Sequence, residues 1–201
     1  MKLLEKTGFT FLYAPLYHSA MKHAAQARRE LGIKTIMNLL GPLVNPADAE
    51  YQMIGVFDEK YCLPLARAAR LLGIKRALIV HGFNGLDEIS VTGPTKTVML
   101  KEDGSIEESV FDPESMGLTG HRLSELKGGD AEKNAETAEK LIRGNGPPAL
   151  LDAVFLGAGA SLMVYGSAGS IEEGYRKAKE SIASGRVKMK IEQIRRESIS
   201  L

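Results

Sequence analysis

Two adjacent carboxylates, Asp87 and Glu88, are the residues of this 201-residue chain whose types and spacing best suit chemistry. They lie in the stretch HGFNGLDEIS (81–90), directly after the apolar run Arg76-Ala77-Leu78-Ile79-Val80. That run is rich in β-formers and reads as a buried strand. In an open α/β sheet, ligands settle in the crevice at the carboxyl ends of the strands. Adjacent carboxylates there suit a hard cation such as Mg²⁺. That ion takes one or two protein carboxylates and completes its shell with water and substrate phosphate. The same spacing also fits a solvated acidic turn. A second group is basic. Ala14-Pro15-Leu16-Tyr17-His18 leads into a helical pattern that carries Arg28. A planar guanidinium grips a carboxylate with two parallel bonds. A helix bearing Arg28, beside a loop bearing His18 and Pro15, suits a flat aromatic acid, although basic helix faces are commonly solvated.

The elements that must position these groups alternate. Residues 9–13 (FTFLY) read as a strand, stopped by Ala14-Pro15. Residues 19–31 read as a helix between Ser19 as N-cap and Gly32 as stop. Residues 33–40 are apolar and fit strand or short helix. Gly41-Pro42 and Asn45-Pro46 predict a loop. Residues 51–57 read as a strand, 59–72 as a helix, and 76–80 as the strand before the acidic loop. Residues 96–100 and 106–111 flank Glu102-Asp103-Gly104-Ser105, a hairpin signal. Strand and helix in alternation predict an α/β fold with a mostly parallel sheet flanked by helices. The second half reads as helical: 130–143 from Asp130, 148–165 apolar nearly all round and so buried on most sides, 170–184 with a capping box at Ser170 and Glu173, and a charged helix over 186–196.

Composition excludes several classes. A net charge of +1 from 26 basic and 25 acidic side chains does not point to nucleic acid or an anionic membrane. The single cysteine, Cys62, cannot form an internal disulfide, which suits the reducing cytoplasm and a buried structural thiol. No apolar run reads as membrane-spanning and no leader pattern is visible. Gly157-Ala158-Gly159 lacks a preceding strand and reads as close helix packing rather than a dinucleotide fingerprint. Gly128-Gly129-Asp130 reads as a capping turn rather than a phosphate loop. The four histidines, His18, His23, His81 and His121, form no ligand cluster in sequence.

Together these pieces resemble anthranilate phosphoribosyltransferase. The matching stretches are TFLYAPLYHSAMKHAAQARRELGIKT, NLLGPLVNPADAEYQMIGVF, VHGFNGLDEIS, LKGGDAEKNAETAEKLIRG and FLGAGASLMVYGSAGSIEEGYRKAKESIASG, in the family's order. The resemblance implies transfer of phosphoribose from phosphoribosyl pyrophosphate to the amine of anthranilate, in tryptophan biosynthesis. It implies that Asp87 and Glu88 hold Mg²⁺ against the donor's pyrophosphate and that Arg28 pairs with the anthranilate carboxylate. It also implies that Ala14, Pro15, His18, Met21 and Gly41 line the channel for the aromatic ring. Ser19 stands where the family has proline, and Asn84 where its acidic loop has aspartate. The family's N-terminal helices, its GTGGD-type loop and its KHGN-type motif have no counterpart here. The resemblance therefore implies a C-terminal portion with a remnant of a small helical domain. Residues 1–14 would supply a strand of the α/β domain, 15–48 the helical remnant with the acceptor site, and 49–201 the α/β domain. Such a portion is expected to be inactive alone, to need a complementing N-terminal chain and to form a homo-oligomer, with the apolar face of helix 19–31 exposed or covered by another copy. Two other readings are a non-catalytic binding or assembly module and a pyrimidine nucleoside phosphorylase-like enzyme, whose family uses no metal–pyrophosphate site.

Overall fold

A computed structural model describes residues 2–17 and 37–199. The predicted helix 19–31 and the site residues His18, Met21 and Arg28 lie outside the described residues. The chain divides into two compact units, one of residues 1–48 with 188–201 and one of residues 49–187.

In the first unit, α1 (Lys2–Thr7) is followed by Gly8 at φ +70°, which ends the helix. Residues 9–13 are irregular, where the sequence predicts a strand. An isolated strand satisfies none of its own backbone groups, and none of the described strands pairs with this segment. A short helix, α2 (Ala14–Tyr17), carries Ala14 and Pro15 on its backbone. The next described helix, α3 (Met37–Leu43), takes in Gly41-Pro42, which the sequence assigns to a loop. The chain breaks only after Leu43, with the Val44 amide still bonded to the Leu40 carbonyl. Gly41 therefore sits on a helix. The terminal helix α8 (Arg186–Ile199) has no buried residue. Its Glu197 pairs with Lys6 at 2.8 Å, and Lys190 Nζ donates to the Thr7 carbonyl at 3.0 Å.

The second unit is the α/β body. Its sheet runs β1 (Tyr51–Gly55), β2 (Arg76–Gly82), β3 (Thr95–Leu100), β4 (Ile106–Phe111), in that spatial order. β1 and β2 are parallel, joined through α4 (Cys62–Leu71), while β2–β3 and β3–β4 are antiparallel. The predicted hairpin is present, with Leu100 opposite Ile106. The sheet is thus mixed, and among the described residues its parallel part is the β1–β2 pair. A tight hairpin can join only antiparallel strands, so Glu102–Ser105 sets that end of the sheet.

β2 is buried on both faces. Leu78 and Val80 point into a cluster with Phe155, Leu156, Ala160, Val164, Tyr175 and Ala178, from α6 (Pro148–Tyr165) and α7 (Ile171–Ala183). Ala77 and Ile79 alternate to the other face, where α4 packs on β2 and β3. Cys62 is fully buried, and burial pushes its thiol up to about 11. α6 and α7 touch through glycine: a Cβ on Gly159 would lie 2.4 Å from the Tyr175 amide nitrogen, and one on Gly174 only 2.2 Å from the Gly159 carbonyl oxygen. That is the close packing the sequence predicts for Gly159. Ser170 caps α7 and Asp130 caps α5 (Ala131–Ile142), each accepting from the amide three residues on.

α6 departs from expectation in two respects. It is 18 residues long with a mean hydropathy of 1.5, enough to cross a membrane by length and composition. It nevertheless packs on α7, β1 and β2. It is also not buried on most sides: Val154, Ala158, Ser161 and Tyr165 are exposed.

Candidate metal and substrate site

The acidic loop leaves β2 at Gly82 and is held by four independent devices. Gly82 N–H donates to the Leu86 carbonyl at 2.8 Å, with Gly85 at φ +90° in the tight turn between them. The Asn84 amide donates to Ser90 Oγ at 2.9 Å and to Thr92 Oγ1. The Ser90 amide donates to the buried Thr95 hydroxyl at 2.9 Å. Ile89 and Val91, 4% and 2% exposed, drop into the core beside Leu78 and Val80. Two buried anchors immediately after Asp87-Glu88 leave the acids at the surface, where both are exposed. Asn84 is the side-chain donor that ties the loop together. Its amide supplies two N–H donors to the loop's hydroxyls, which a carboxylate cannot do.

The site's least visible component is Gly55, the last residue of β1. A Cβ there would lie 1.5 Å from the Asp87 carbonyl oxygen and 2.5 Å from its carbon. The backbone of Asp87 therefore rests directly on the Cα of Gly55. A glycine at a strand end marks close backbone approach, and that signal was present in the sequence without a partner to attach it to.

Asp87 and Glu88 stand at a cleft of about 520 Å³, lined also by Met53, Gly55, Val154, Gly157 and Ser161. The cleft lies at the carboxyl ends of the parallel strands β1 and β2, where α/β sheets place ligands. Two carboxylates fit the protein's share of a Mg²⁺ shell completed by phosphate and water. Among the described residues no third acid, histidine or cysteine joins them. A larger cleft, about 680 Å³, lies over β3 and β4, but its Lys101 and Glu107 neutralise each other and neither Asp87 nor Glu88 reaches it.

The structure brings Asp87 and Glu88 to one cleft and puts Gly41 on α3. His81 is not a free ligand: it is buried, and its Nδ1 donates to the Val56 carbonyl at 2.8 Å. Gly128-Gly129 behaves as a capping turn, with Gly129 N–H donating to Asn134 Oδ1 at 2.8 Å. A polar cluster that sequence reasoning missed joins α6 to α7. Tyr175 Oη donates to Asp152 Oδ1 at 2.6 Å and His121 Nε2 to Asp152 Oδ2 at 2.7 Å.

Comparison with known proteins bears on this geometry. The chain is 43% identical over 200 residues to anthranilate phosphoribosyltransferase of Azorhizobium caulinodans, covering all of this chain and 58% of that one. The crystal structure of anthranilate phosphoribosyltransferase from Thermus thermophilus superposes with a TM-score of 0.85 at 39% identity, over 96% of this chain and 56% of that one. The enzyme from Saccharomyces cerevisiae in complex with PRPP and Mg superposes with a TM-score of 0.89 at 30% identity, over 100% and 57%. The chain thus spans little more than half the length of the relatives it matches. The model of the glycosyl transferase family, a/b domain, matches residues 1–188. With that match over most of its length, the chain belongs to the glycosyl transferase family through its a/b domain.

Proposed function

We propose that this chain is the larger part of an anthranilate phosphoribosyltransferase, supplying the metal-binding loop and the acceptor side of the site. The observation that carries the reading is the Asp87-Glu88 pair, pinned by Gly55 and by buried Ile89 and Val91 at a cleft at the strand ends. It is supported by likeness to an enzyme solved with PRPP and Mg.

In this reading Asp87 and Glu88 hold Mg²⁺, which when bound neutralises charge on the departing pyrophosphate. The anthranilate nitrogen forms its bond to the ribose anomeric carbon as the carbon–oxygen bond to pyrophosphate breaks. The electron pair leaves with pyrophosphate, and the nitrogen gives up one proton. An aniline-type nitrogen is uncharged at neutral pH, so no strong base is required. Arg28 grips the acceptor carboxylate, and Ala14, Pro15, His18, Met21 and Gly41 line its channel. Residues 15–48 are then a remnant of a small helical domain and 49–201 the α/β domain. The assembled protein would act in the cytoplasm as a homo-oligomer.

The test is reconstitution with the portion of a relative that lies outside the match. Turnover of phosphoribosyl pyrophosphate and anthranilate is expected only with both parts and Mg²⁺. Asp87→Asn with Glu88→Gln should abolish Mg²⁺-dependent donor binding, read by calorimetry, without moving the melting temperature. Full turnover by that double variant would overturn the assignment.

A further inference from the structure

The Val56 carbonyl lies where the parallel ladder ends and the acidic loop begins. In a parallel pair, a bonded residue donates its N–H to one carbonyl of the partner strand, and its own carbonyl accepts from the amide two residues further on. β1 and β2 follow that rule at their start, where the Glu50 carbonyl accepts from the Arg76 amide at 3.2 Å. At the other end the Val56 N–H donates to the Val80 carbonyl at 2.9 Å. The register then places Gly82 N–H as the donor for the Val56 carbonyl. Gly82 N–H is spent elsewhere: it donates to the Leu86 carbonyl at 2.8 Å and closes the turn that presents Asp87 and Glu88. The Val56 carbonyl is bonded to the His81 ring instead, with Nδ1 2.8 Å away. A carbonyl only accepts, so Nδ1 carries the proton.

The surroundings make this exchange of donors matter. Val56 and His81 are both buried, so a Val56 carbonyl left without a donor would be costly. His81 follows Ala77 and Ile79 on the α4 face of the sheet. The cleft at Asp87 and Glu88 opens on the opposite face, beside Val80 and Val154 of α6. The imidazole therefore reaches the acids only through the backbone, by two routes. One is Gly82, the root of the loop, whose amide it leaves free for Leu86. The other is the end of β1: His81 holds Val56, and the Asp87 backbone rests on the Cα of the adjoining Gly55.

We infer that His81 is a positioning residue of the candidate site: its side chain supplies the last donor of the β1–β2 ladder and so releases the Gly82 amide to close the Asp87-Glu88 loop. With no donor at position 81, the buried Val56 carbonyl competes for Gly82 N–H. The ladder then gains one bond, the Gly82–Leu86 turn opens, and Asp87 leaves its seat on Gly55. If His81 merely filled space between the sheet and α4, a ring of the same size without a donor would serve as well.

The inference rests on the proposed reading for its link to Mg²⁺, and two measurements keep the two apart. Through-hydrogen-bond NMR couplings in the full chain, with no metal or substrate added, read which carbonyl each donor serves. The Gly82 nitrogen is expected to couple to the Leu86 carbonyl carbon. Coupling to Val56 in the unsubstituted chain overturns the inference before any variant is made. In His81→Phe, which keeps a ring and loses the donor, the Gly82 coupling should transfer to Val56. In His81→Asn, whose amide nitrogen stands as far from Cβ as Nδ1 does, it should stay on Leu86. Packing alone gives the opposite order, because Phe fills the space of the imidazole and Asn does not. A coupling that stays on Leu86 in His81→Phe, or is lost alike in both variants, overturns the inference. The reconstituted enzyme then reads the consequence: the Mg²⁺ concentration for half-maximal rate should rise about tenfold or more in His81→Phe and recover in His81→Asn. A transferred coupling with unchanged Mg²⁺ dependence defeats the assignment of Asp87 and Glu88 to Mg²⁺ and leaves the hold of His81 on the loop standing.

Discussion

Gly55→Ala is the sharpest test of how the acids are positioned. The added Cβ would lie 1.5 Å from the Asp87 carbonyl oxygen, whereas ordinary contact begins near 3.4 Å. Relief needs a retreat of about 2 Å, against backbone rather than a flexible side-chain end. β1 is held by its pairing with β2, so the acidic loop must move. Overpacking of this kind costs about 1–3 kcal/mol, or roughly 2–12 °C in melting temperature for a chain of this size. Displacement of a positioned group by about 1 Å can cost about a hundredfold in rate. Two assays separate these effects. Thermal unfolding of the chain alone reads the strain, and Mg²⁺ titration of the reconstituted enzyme reads the displaced acids. Faster amide exchange over residues 83–92 should accompany both. Unchanged stability together with unchanged Mg²⁺ dependence would refute the claim that Gly55 seats the loop.

Other outcomes follow from the same structure. Gly159→Ala puts a Cβ 2.4 Å from the Tyr175 amide nitrogen and should cost about 1–3 kcal/mol in denaturant unfolding, with little effect on the acidic loop. Arg28→Ala in the reconstituted enzyme should raise the KM for anthranilate far more than that for the donor; an equal rise in both would remove Arg28 from the acceptor site. Alkaline pH should destabilise the chain. Cys62 is raised to about 11 in the folded state and sits near 8.5 unfolded, so its contribution is complete below about 8.5 and lost as pH rises toward 11. Tyr175, raised chiefly by burial and then by its bond to Asp152, extends the loss upward from about 10. Cys62→Ala should flatten the lower part of that pH profile, and Tyr175→Phe the upper part, in melts run from pH 7 upward.

What was legible in the sequence was local. Asp130 and Ser170 cap helices because a short polar side chain can reach the amide three residues on, whatever surrounds it. Glu102–Ser105 turns between two strands because its own residues favour a turn. The Asp87-Glu88 loop was visible because a β-rich apolar run ends in glycines and acids. Residues 9–13 failed for the opposite reason: a strand exists only with a partner, and β propensity cannot supply one. α6 failed in the same way, since an all-apolar composition says a surface can be buried but not which neighbour buries it.

The alternation of strand and helix, the two carboxylates and the hairpin follow from the amino-acid order alone, because each depends on neighbours in the chain. The seat of Asp87 on Gly55, the antiparallel pairing of β2 with β3 and the bare flank of α6 beside β1 were decided only by the fold. Each depends on residues far apart in sequence coming within van der Waals reach.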